Sequence, residues 1–206
     1  MKSSMISTVL LSMAMSVVIA SPNGPPVSVP GLCADMVPSG HGSSDATGDA
    51  PYTITAVKQT DNTYTVRIEG VDNSTFRGFF IQARPWDSSS SSESETTSLG
   101  VFSSQDTVTK PLDCFGSTAN AWGHSINNNK TSVEGTWSPP AGSGEVRFRM
   151  TVVQGPASTY WTELYSDVIM YGSDTTMRMT TSSSGKSSLS IASFFGSLLV
   201  FLFANV

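Results

Sequence analysis

The sequence predicts an all-β protein, an antiparallel β-sandwich of seven to eight strands. Short segments rich in β-branched and aromatic residues alternate with polar residues at a period of two, which is typical of strands with one buried side. Turn-forming residues separate these segments, and the chain has no internal repeat and no long helical period. Seven or eight short strands within about 140 residues fit two packed antiparallel sheets.

The composition argues against a cytosolic helical protein and against a nucleic-acid-binding one. Only 13% of the 206 residues are charged, and the formal net charge is -5. A helical cytosolic protein needs more charged residues than this on its solvent-facing sides. An acidic chain does not attract phosphate backbones, so we expect no nucleic-acid partner.

Residues 1–20 are expected to be a signal peptide. Lys2 supplies the positive start, residues 9–19 form a short apolar stretch, and Ala20 precedes the cleavage position. A membrane-spanning helix is the alternative, but the apolar stretch is too short and is interrupted by serines. The mature protein is therefore expected to begin at Ser21, in an oxidising compartment.

Seven segments are predicted as strands. The clearest alternation occurs in three of them, and the other four are short apolar runs. In chain order they lie at residues 52–56, 64–69, 79–83, 99–102, 133–137, 145–150 and 161–169. Turn signals lie at residues 61–62, 72–73, 127–129, 139–144 and 155–156.

Residues 88–97 interrupt the strand pattern. They are serine, threonine and glutamate only, so this segment cannot bury enough apolar area to offset its ordering entropy. We expect a mobile, solvated loop inside the domain. A binding loop is the alternative, although the segment has no aromatic or arginine side chain to anchor a partner.

Cys33 and Cys114 are the only two cysteines. In an exported chain such a pair is most simply a disulfide. The closed loop is long, for which the chain-entropy model gives about 4 kcal/mol of stabilisation. Zinc is a weaker alternative because there is no Cys-x-x-Cys motif and only two histidines are available.

Those histidines, His41 and His124, are the obvious candidates for catalysis. However, the chain has no Gly-x-Ser-x-Gly or His-x-x-x-His motif and no paired carboxylates. We expect each histidine to make a structural hydrogen bond in a loop. The sequence therefore predicts a non-enzymatic protein with no catalytic, cofactor or metal site.

Two glycosylation sequons are present, at Asn73 and Asn129. Both fall in predicted turns, where the acceptor amide is accessible to the transferase. We expect at least one of them to carry sugar.

The C-terminal region matches the pattern of a glycosylphosphatidylinositol (GPI) anchor signal. Small residues at 180–185 and a polar spacer at 186–190 precede an apolar tail at 191–206. We expect a polar linker at 173–183, lipid attachment at Ser183 and removal of residues 184–206. A single-span anchor is the alternative, and both interpretations hold the domain at the extracellular face of the plasma membrane.

Several motifs resemble those of the Reeler (reelin N-terminal) domain. Residues 76–84, Phe-Arg-Gly-Phe-Phe-Ile-Gln-Ala-Arg, look like the most recognisable strand of that family. The other similar segments follow in the expected order, at residues 22–26, 33–42, 99–102, 114, 122–124, 137–140, 146–153 and 160–161. The resemblance implies an immunoglobulin-like sandwich, and we assign the Reeler domain to residues 21–172.

The resemblance also suggests functions. The family includes reelin, F-spondin, ferric-chelate-reductase-like proteins and small secreted insect defence proteins, and this chain resembles the last group most because it contains little besides the Reeler domain. It implies a recognition protein of innate defence that binds microbial surface glycan or lipid. The alternative is an adhesion module that contacts a cell-surface or matrix protein. No catalytic residue carries over, because the reductase-like relatives perform redox chemistry in separate haem-bearing domains.

Individual residues of these motifs have expected roles. Gly78 is expected to permit close approach where the phenylalanines beside it pack, and Trp137 to fill the space between the sheets. Arg77 and Arg84 are expected to face solvent from a strand. The alternative is that these two arginines form a small basic patch for an anionic ligand.

Overall fold

The computed structural model describes residues 21–38, 40–155 and 158–172. They contain one short helix, α1 (Leu32–Asp35), a 3₁₀ turn (Val71–Asn73) and eleven strands. The strands are β1 (Tyr52–Lys58), β2 (Tyr64–Gly70), β3 (Gly78–Asp87), β4 (Ser92–Glu93), β5 (Val101–Ser104), β6 (Thr109–Cys114), β7 (Ser117–His124), β8 (Ser132–Ser138), β9 (Gly144–Val153), β10 (Tyr160–Tyr165) and β11 (Ile169–Tyr171).

The strands form two antiparallel sheets. The smaller has four strands in the order β1-β2-β8-β5, and the larger has seven, with β10-β9-β3-β7-β6 in line, β11 beside β9 and β4 beside β3. The predicted all-β antiparallel sandwich is confirmed, with more strands than the pattern indicates. Residues 21–172 include both sheets and the core between them, so we expect them to fold as a unit.

The main core lies between the sheets, where the predicted alternation places apolar side chains. Phe79 and Ile81 of β3 face Val66 and Ile68 of β2 in one buried cluster. Trp137 of β8 is fully buried in this cluster, as expected. Rings and β-branched side chains from both sheets therefore exclude water from the interior.

Two strands, β6 and β7, have no strand pattern in the sequence. Strand β6 contains Pro111, which is compatible with its position at the edge of the sheet. Strand β7 lacks alternation because its second half is buried on both sides. The predicted strand at 161–169 is in fact two strands, β10 and β11. At the break between them, the Ser166 hydroxyl oxygen accepts a hydrogen bond from the Phe148 N–H.

The Ser-rich segment is a hairpin rather than a loop without secondary structure. Strand β4 pairs antiparallel with Trp86 and Asp87 at the end of β3. Glu93 Oε1 lies 2.9 Å from Arg149 Nη1, and Arg84 Nη1 donates to the Ser94 carbonyl at 2.9 Å. Most residues of the segment are exposed, as expected, and two buried arginines beneath it supply polar partners for Glu93 and Ser94. Its mobility stays a prediction.

None of the helices among the described residues combines the length and apolarity needed to cross a bilayer. Three predicted segments lie outside the described residues: the signal peptide at 1–20, the linker at 173–183 with the attachment residue Ser183, and the anchor signal at 184–206.

Candidate functional site

The segment before the first strand lies against the outer face of the seven-stranded sheet. We call residues 21–38 the N-terminal cover. Its Leu32 and Met36 are buried against Phe80 of β3 and Leu112 of β6, in an apolar cluster distinct from the main core. Burying one such side chain contributes about 1.5–3 kcal/mol. The face of the sheet that alternation predicts to be solvated is therefore covered.

A disulfide fastens the N-terminal cover to the sheet. Cys33 in α1 and Cys114 at the end of β6 are bonded across a sequence separation of 81, with their Cα atoms 5.7 Å apart. The disulfide predicted from the composition is confirmed. It joins the cover to the hairpin of β6 and β7, the part of the sheet that the alternation does not reveal.

Polar side chains of β3 hydrogen-bond the backbone of the cover. Gln82 Nε2 donates to the Cys33 carbonyl at 3.0 Å. Arg84 Nη2 donates to the same carbonyl at 2.7 Å and to the Ala34 carbonyl at 3.0 Å. Arg84 is fully buried, and burial, with a smaller contribution from the charge of Arg149, lowers its pKa to about 10. The expectation that Arg84 faces solvent is wrong, and so is the alternative patch with Arg77, because the cover encloses this guanidinium.

Strand β9 holds the cover in the same way. Arg149 Nη2 donates to the Asp35 carbonyl at 3.0 Å, and Thr151 Oγ1 donates to the Met36 carbonyl at 2.8 Å. Because these polar groups are buried, losing a partner would cost about 1–3 kcal/mol for each group left unsatisfied. The outer face of the sheet thus binds the cover through both apolar contacts and hydrogen bonds.

A pocket of about 150 Å³ opens between the cover and the ends of β3, β7 and β9. A protein cavity of about this size takes up benzene, so the space admits an aromatic ring or a short stretch of alkyl chain. Most of the lining is apolar and includes Pro25, Pro26, Leu32, Met36, Phe80 and Val153. Small-molecule sites are typically concave and apolar with a few polar groups, and this pocket has that character.

His124 lies at the wall of the pocket. Its Nδ1 lies 3.2 Å from the Phe79 nitrogen and 3.3 Å from the Phe79 carbonyl oxygen, and its Nε2 lies 3.3 Å from the Ser21 carbonyl oxygen. Burial is the largest cause of its lowered pKa, and its contacts with the Phe79 and Ser21 carbonyls oppose the shift. A Cβ on Gly78 would lie 3.0 Å from the imidazole Cε1. His124 therefore makes a close approach to the backbone at Gly78.

His41 lines the same pocket and packs edge-to-face on Tyr160, with ring centroids 6.2 Å apart. The structure thus brings together the two histidines that the sequence singles out. Among the described residues that line the pocket there is no Asp, Glu or Cys, so the lining does not assemble a Ser-His-Asp or Cys-His arrangement. Within the described part of the chain no group of three His, Cys, Asp or Glu side chains is placed to hold a metal ion.

Arg77 contributes a cationic group to the pocket lining. It is exposed, and its Nε donates to Asn129 Oδ1 at 3.0 Å. The neighbouring Lys130 is buried, and its Nζ donates to the carbonyls of Arg77, Ile126 and Asn128 at 2.9, 2.7 and 2.9 Å. These bonds fix the loop at 126–130 against the backbone of Arg77, and so fix the position of this rim of the pocket.

The family of the chain follows from a direct comparison. A family model for the Reeler domain matches residues 31–177, which include all eleven strands in full. This chain belongs to the Reeler domain family. The resemblance seen in the motifs is therefore confirmed.

Relatives of this Reeler domain include a curated protein and several solved structures. Putative ferric-chelate reductase 1 of Danio rerio is 31% identical over 159 residues, which is 74% of this chain but 26% of that protein. The chain therefore spans about a quarter of the length of this relative. The human F-spondin reeler domain has 21% identity and a TM-score of 0.47, covering 61% of this chain and 92% of that one. A second F-spondin structure, of its Reelin-N domain, has 20% identity and a TM-score of 0.46, with 65% and 94% covered.

Both sequons of this Reeler domain are solvent-exposed. Asn73 closes the 3₁₀ turn after β2, and Asn129 lies in the loop between β7 and β8. Exposure in a turn is the context that glycosylation requires, and modification of either residue stays a prediction. Asn129 also contacts Arg77, so this sequon borders the pocket.

Sequence reasoning does not identify the pocket of this Reeler domain. Its walls come from the cover at residues 21–38 and from strand ends near residues 78, 124 and 153, which are far apart in the chain. A period of two does not show what lies over the outer face of a sheet. A sequence signal that the outer face is covered is a pair of polar residues that could bond a covering segment, two positions apart on a strand whose intervening residues are apolar. Gln82 and Arg84 on β3 have this pattern, as do Arg149 and Thr151 on β9.

Proposed function

We propose that this protein is an extracellular, membrane-anchored recognition protein of innate defence, which binds lipid or glycan components of microbial surfaces and performs no catalysis. The observation that carries the proposal is the pocket beneath the N-terminal cover. Its lining is mostly apolar, with few polar groups and no carboxylate among the described residues. Such a lining favours a lipid group over a glycan, because sugars need more hydrogen-bonding partners than this pocket offers.

Several features support an extracellular position. The chain has a disulfide and two exposed sequons, both of which suit the secretory pathway. The sequence patterns at 1–20 and 173–206 support export and lipid attachment at Ser183, at the extracellular face of the plasma membrane. The microbial target is chosen from the motif resemblance to insect defence proteins that the sequence suggests.

The environment of His124 supports binding rather than catalysis. Both of its ring nitrogens bond to backbone groups, and its pKa is lowered, primarily by burial. A general base needs a ring nitrogen directed at substrate and an orienting partner on the other nitrogen. In this pocket the imidazole holds the start of the cover in place.

Binding to whole bacteria tests the proposal. We would secrete residues 21–172 from animal cells and measure sedimentation with washed Gram-positive and Gram-negative bacteria. Val153→Phe fills the pocket, and Val57→Phe, at a valine that is 59% exposed on the smaller sheet, is the matched control. We expect the wild type and the control to sediment with bacteria and Val153→Phe to lose at least tenfold in affinity.

Two results would contradict this function. Equal binding by Val153→Phe and the wild type would show that the pocket is not the site. Binding to animal cells or matrix, with none to bacteria, would favour the adhesion alternative.

A further inference from the structure

The charged groups around the pocket are mainly cationic, although the net charge of the chain is -5. Arg77 is part of the lining. Lys110 reaches the same region, since its Nζ donates to the Asn23 carbonyl of the cover at 2.5 Å, and its charge and that of Lys130 both act on His124. Among the nearby carboxylates, Asp106 raises the pKa of Lys130 electrostatically, but it does not line the pocket.

Arg77 is arranged to bind an anion. Its Nε is bonded to Asn129, while its two Nη atoms have no hydrogen-bond partner among the described residues. Its backbone carbonyl accepts a hydrogen bond from the buried ammonium of Lys130, so the side chain projects from a fixed point. A guanidinium with two free Nη groups pairs with a carboxylate or phosphate through parallel hydrogen bonds.

The apolar space beside Arg77 limits the size of the group that it can bury. A pocket of about 150 Å³ takes a benzene-sized group, which corresponds to roughly six carbons of an alkyl chain. We propose that the pocket binds an anionic amphiphile, whose carboxylate or phosphate pairs with Arg77 and whose first six or so carbons lie under the N-terminal cover. This inference rests on the proposed function and names the ligand class of that site.

Matched eight-carbon probes test the role of charge. Octanoate, octyl phosphate, octanol and octylammonium would be titrated into secreted residues 21–172, below their micellar concentrations. Binding would be followed by the NMR shift of the His124 Cε1 proton, a group in the wall of the pocket. We expect the two anionic probes to bind at least tenfold more tightly than octanol, and octylammonium to bind most weakly.

Arginine variants test the partner of the anion. Arg77→Gln should reduce the affinity for octanoate to that for octanol, and Arg77→Lys should lose part of the preference. Arg67→Gln is the matched control, because Arg67 is a partly exposed arginine on the smaller sheet. It should leave binding unchanged. Thermal unfolding of each variant would confirm that it is folded.

Chain length tests the size of the pocket. Affinity should rise about fourfold per methylene from butanoate to hexanoate and then level off between six and eight carbons. Equal affinities for octanoate and octanol, an unchanged Arg77→Gln variant, an equal loss in Arg67→Gln or no saturable binding of any probe would each overturn the inference.

The outcomes separate this inference from the proposed function. Tight octanoate binding without bacterial binding would support the ligand class and refute microbial recognition. Bacterial binding that Val153→Phe abolishes, together with equal affinities for octanoate and octanol, would support recognition and refute the anionic ligand.

Discussion

Trp137 shows how single residues join the two sheets. Its indole lies 5.5 Å from the Tyr64 ring of the smaller sheet and 5.2 Å from the Phe148 ring of the larger one. Its Nε1 donates to the Leu99 carbonyl at 2.8 Å, so its polar atom is satisfied as well. A buried aromatic with a bonded N–H contributes both apolar area and orientation.

We expect Trp137→Ala to lower the free energy of unfolding by about 3–5 kcal/mol, because it leaves a cavity between the sheets and an unpaired carbonyl. Urea denaturation monitored by far-ultraviolet circular dichroism would measure the change. Val101→Ala, at an exposed site on the smaller sheet, should stay within about 0.5 kcal/mol. A loss below about 1 kcal/mol for Trp137→Ala would contradict a core position.

His124 makes stability depend on pH. In the folded protein the pKa of His124 lies below 6.5, its ordinary value in the unfolded chain, mainly because of burial. Between the folded and the unfolded pKa, the unfolded chain therefore binds a proton that the folded chain does not. The free energy of unfolding should therefore be fully maintained above pH 6.5 and fall as the pH drops below it. The difference between wild type and His124→Gln, measured by denaturation at pH 7.5 and 5.5, should shrink at the lower pH. A difference independent of pH would show that His124 is not the titrating group.

At the scale of elements, the disulfide is one of several interactions that hold the N-terminal cover on the sheet. Replacing Cys33 and Cys114 together by alanine should lower the free energy of unfolding by about 2–5 kcal/mol. Four side chains of β3 and β9 still bond the cover, so the variant should remain folded with a strand-dominated spectrum. Denaturation and circular dichroism would test both statements, and a fully unfolded variant would show that these bonds cannot hold the cover without the disulfide.

The sequence predicts elements where a period of two is intact. Strands β1, β2 and β9 have one face in the main core, and their alternation gives their positions and their inward residues. The same alternation gives the wrong surroundings for Arg84, because the face opposite the core is buried by a segment that has no periodic pattern. Strand β7 is missed since burial on both sides removes the alternation itself. The cysteine pair was the one sequence signal that linked the cover to this face.

At the scale of the whole molecule, the proposed attachment to the membrane would decide where the pocket acts. If residues 191–206 belong to an anchor signal, a phosphatidylinositol-specific phospholipase should release the protein from intact cells. Changing Ser182, Ser183 and Ser184 to leucine should abolish surface display, because the transamidase requires small side chains. Flow cytometry would measure both effects, and recovery of the 191–206 peptide from the mature protein would contradict the lipid anchor.

The order in which the chain is made imposes a delay on this architecture. Cys33 leaves the ribosome 81 residues ahead of its partner, and the strands that seat the cover are also made later. At about 5–20 residues per second, this thiol stays unpaired for about 4–16 s of synthesis. If the chain is exported as expected, the Cys33 thiolate can attack disulfides of other proteins during that time and form mixed disulfides. The part of the domain that is made first is therefore the last that can be bonded to the sheet, and efficient folding depends on keeping that early thiol from the wrong partner.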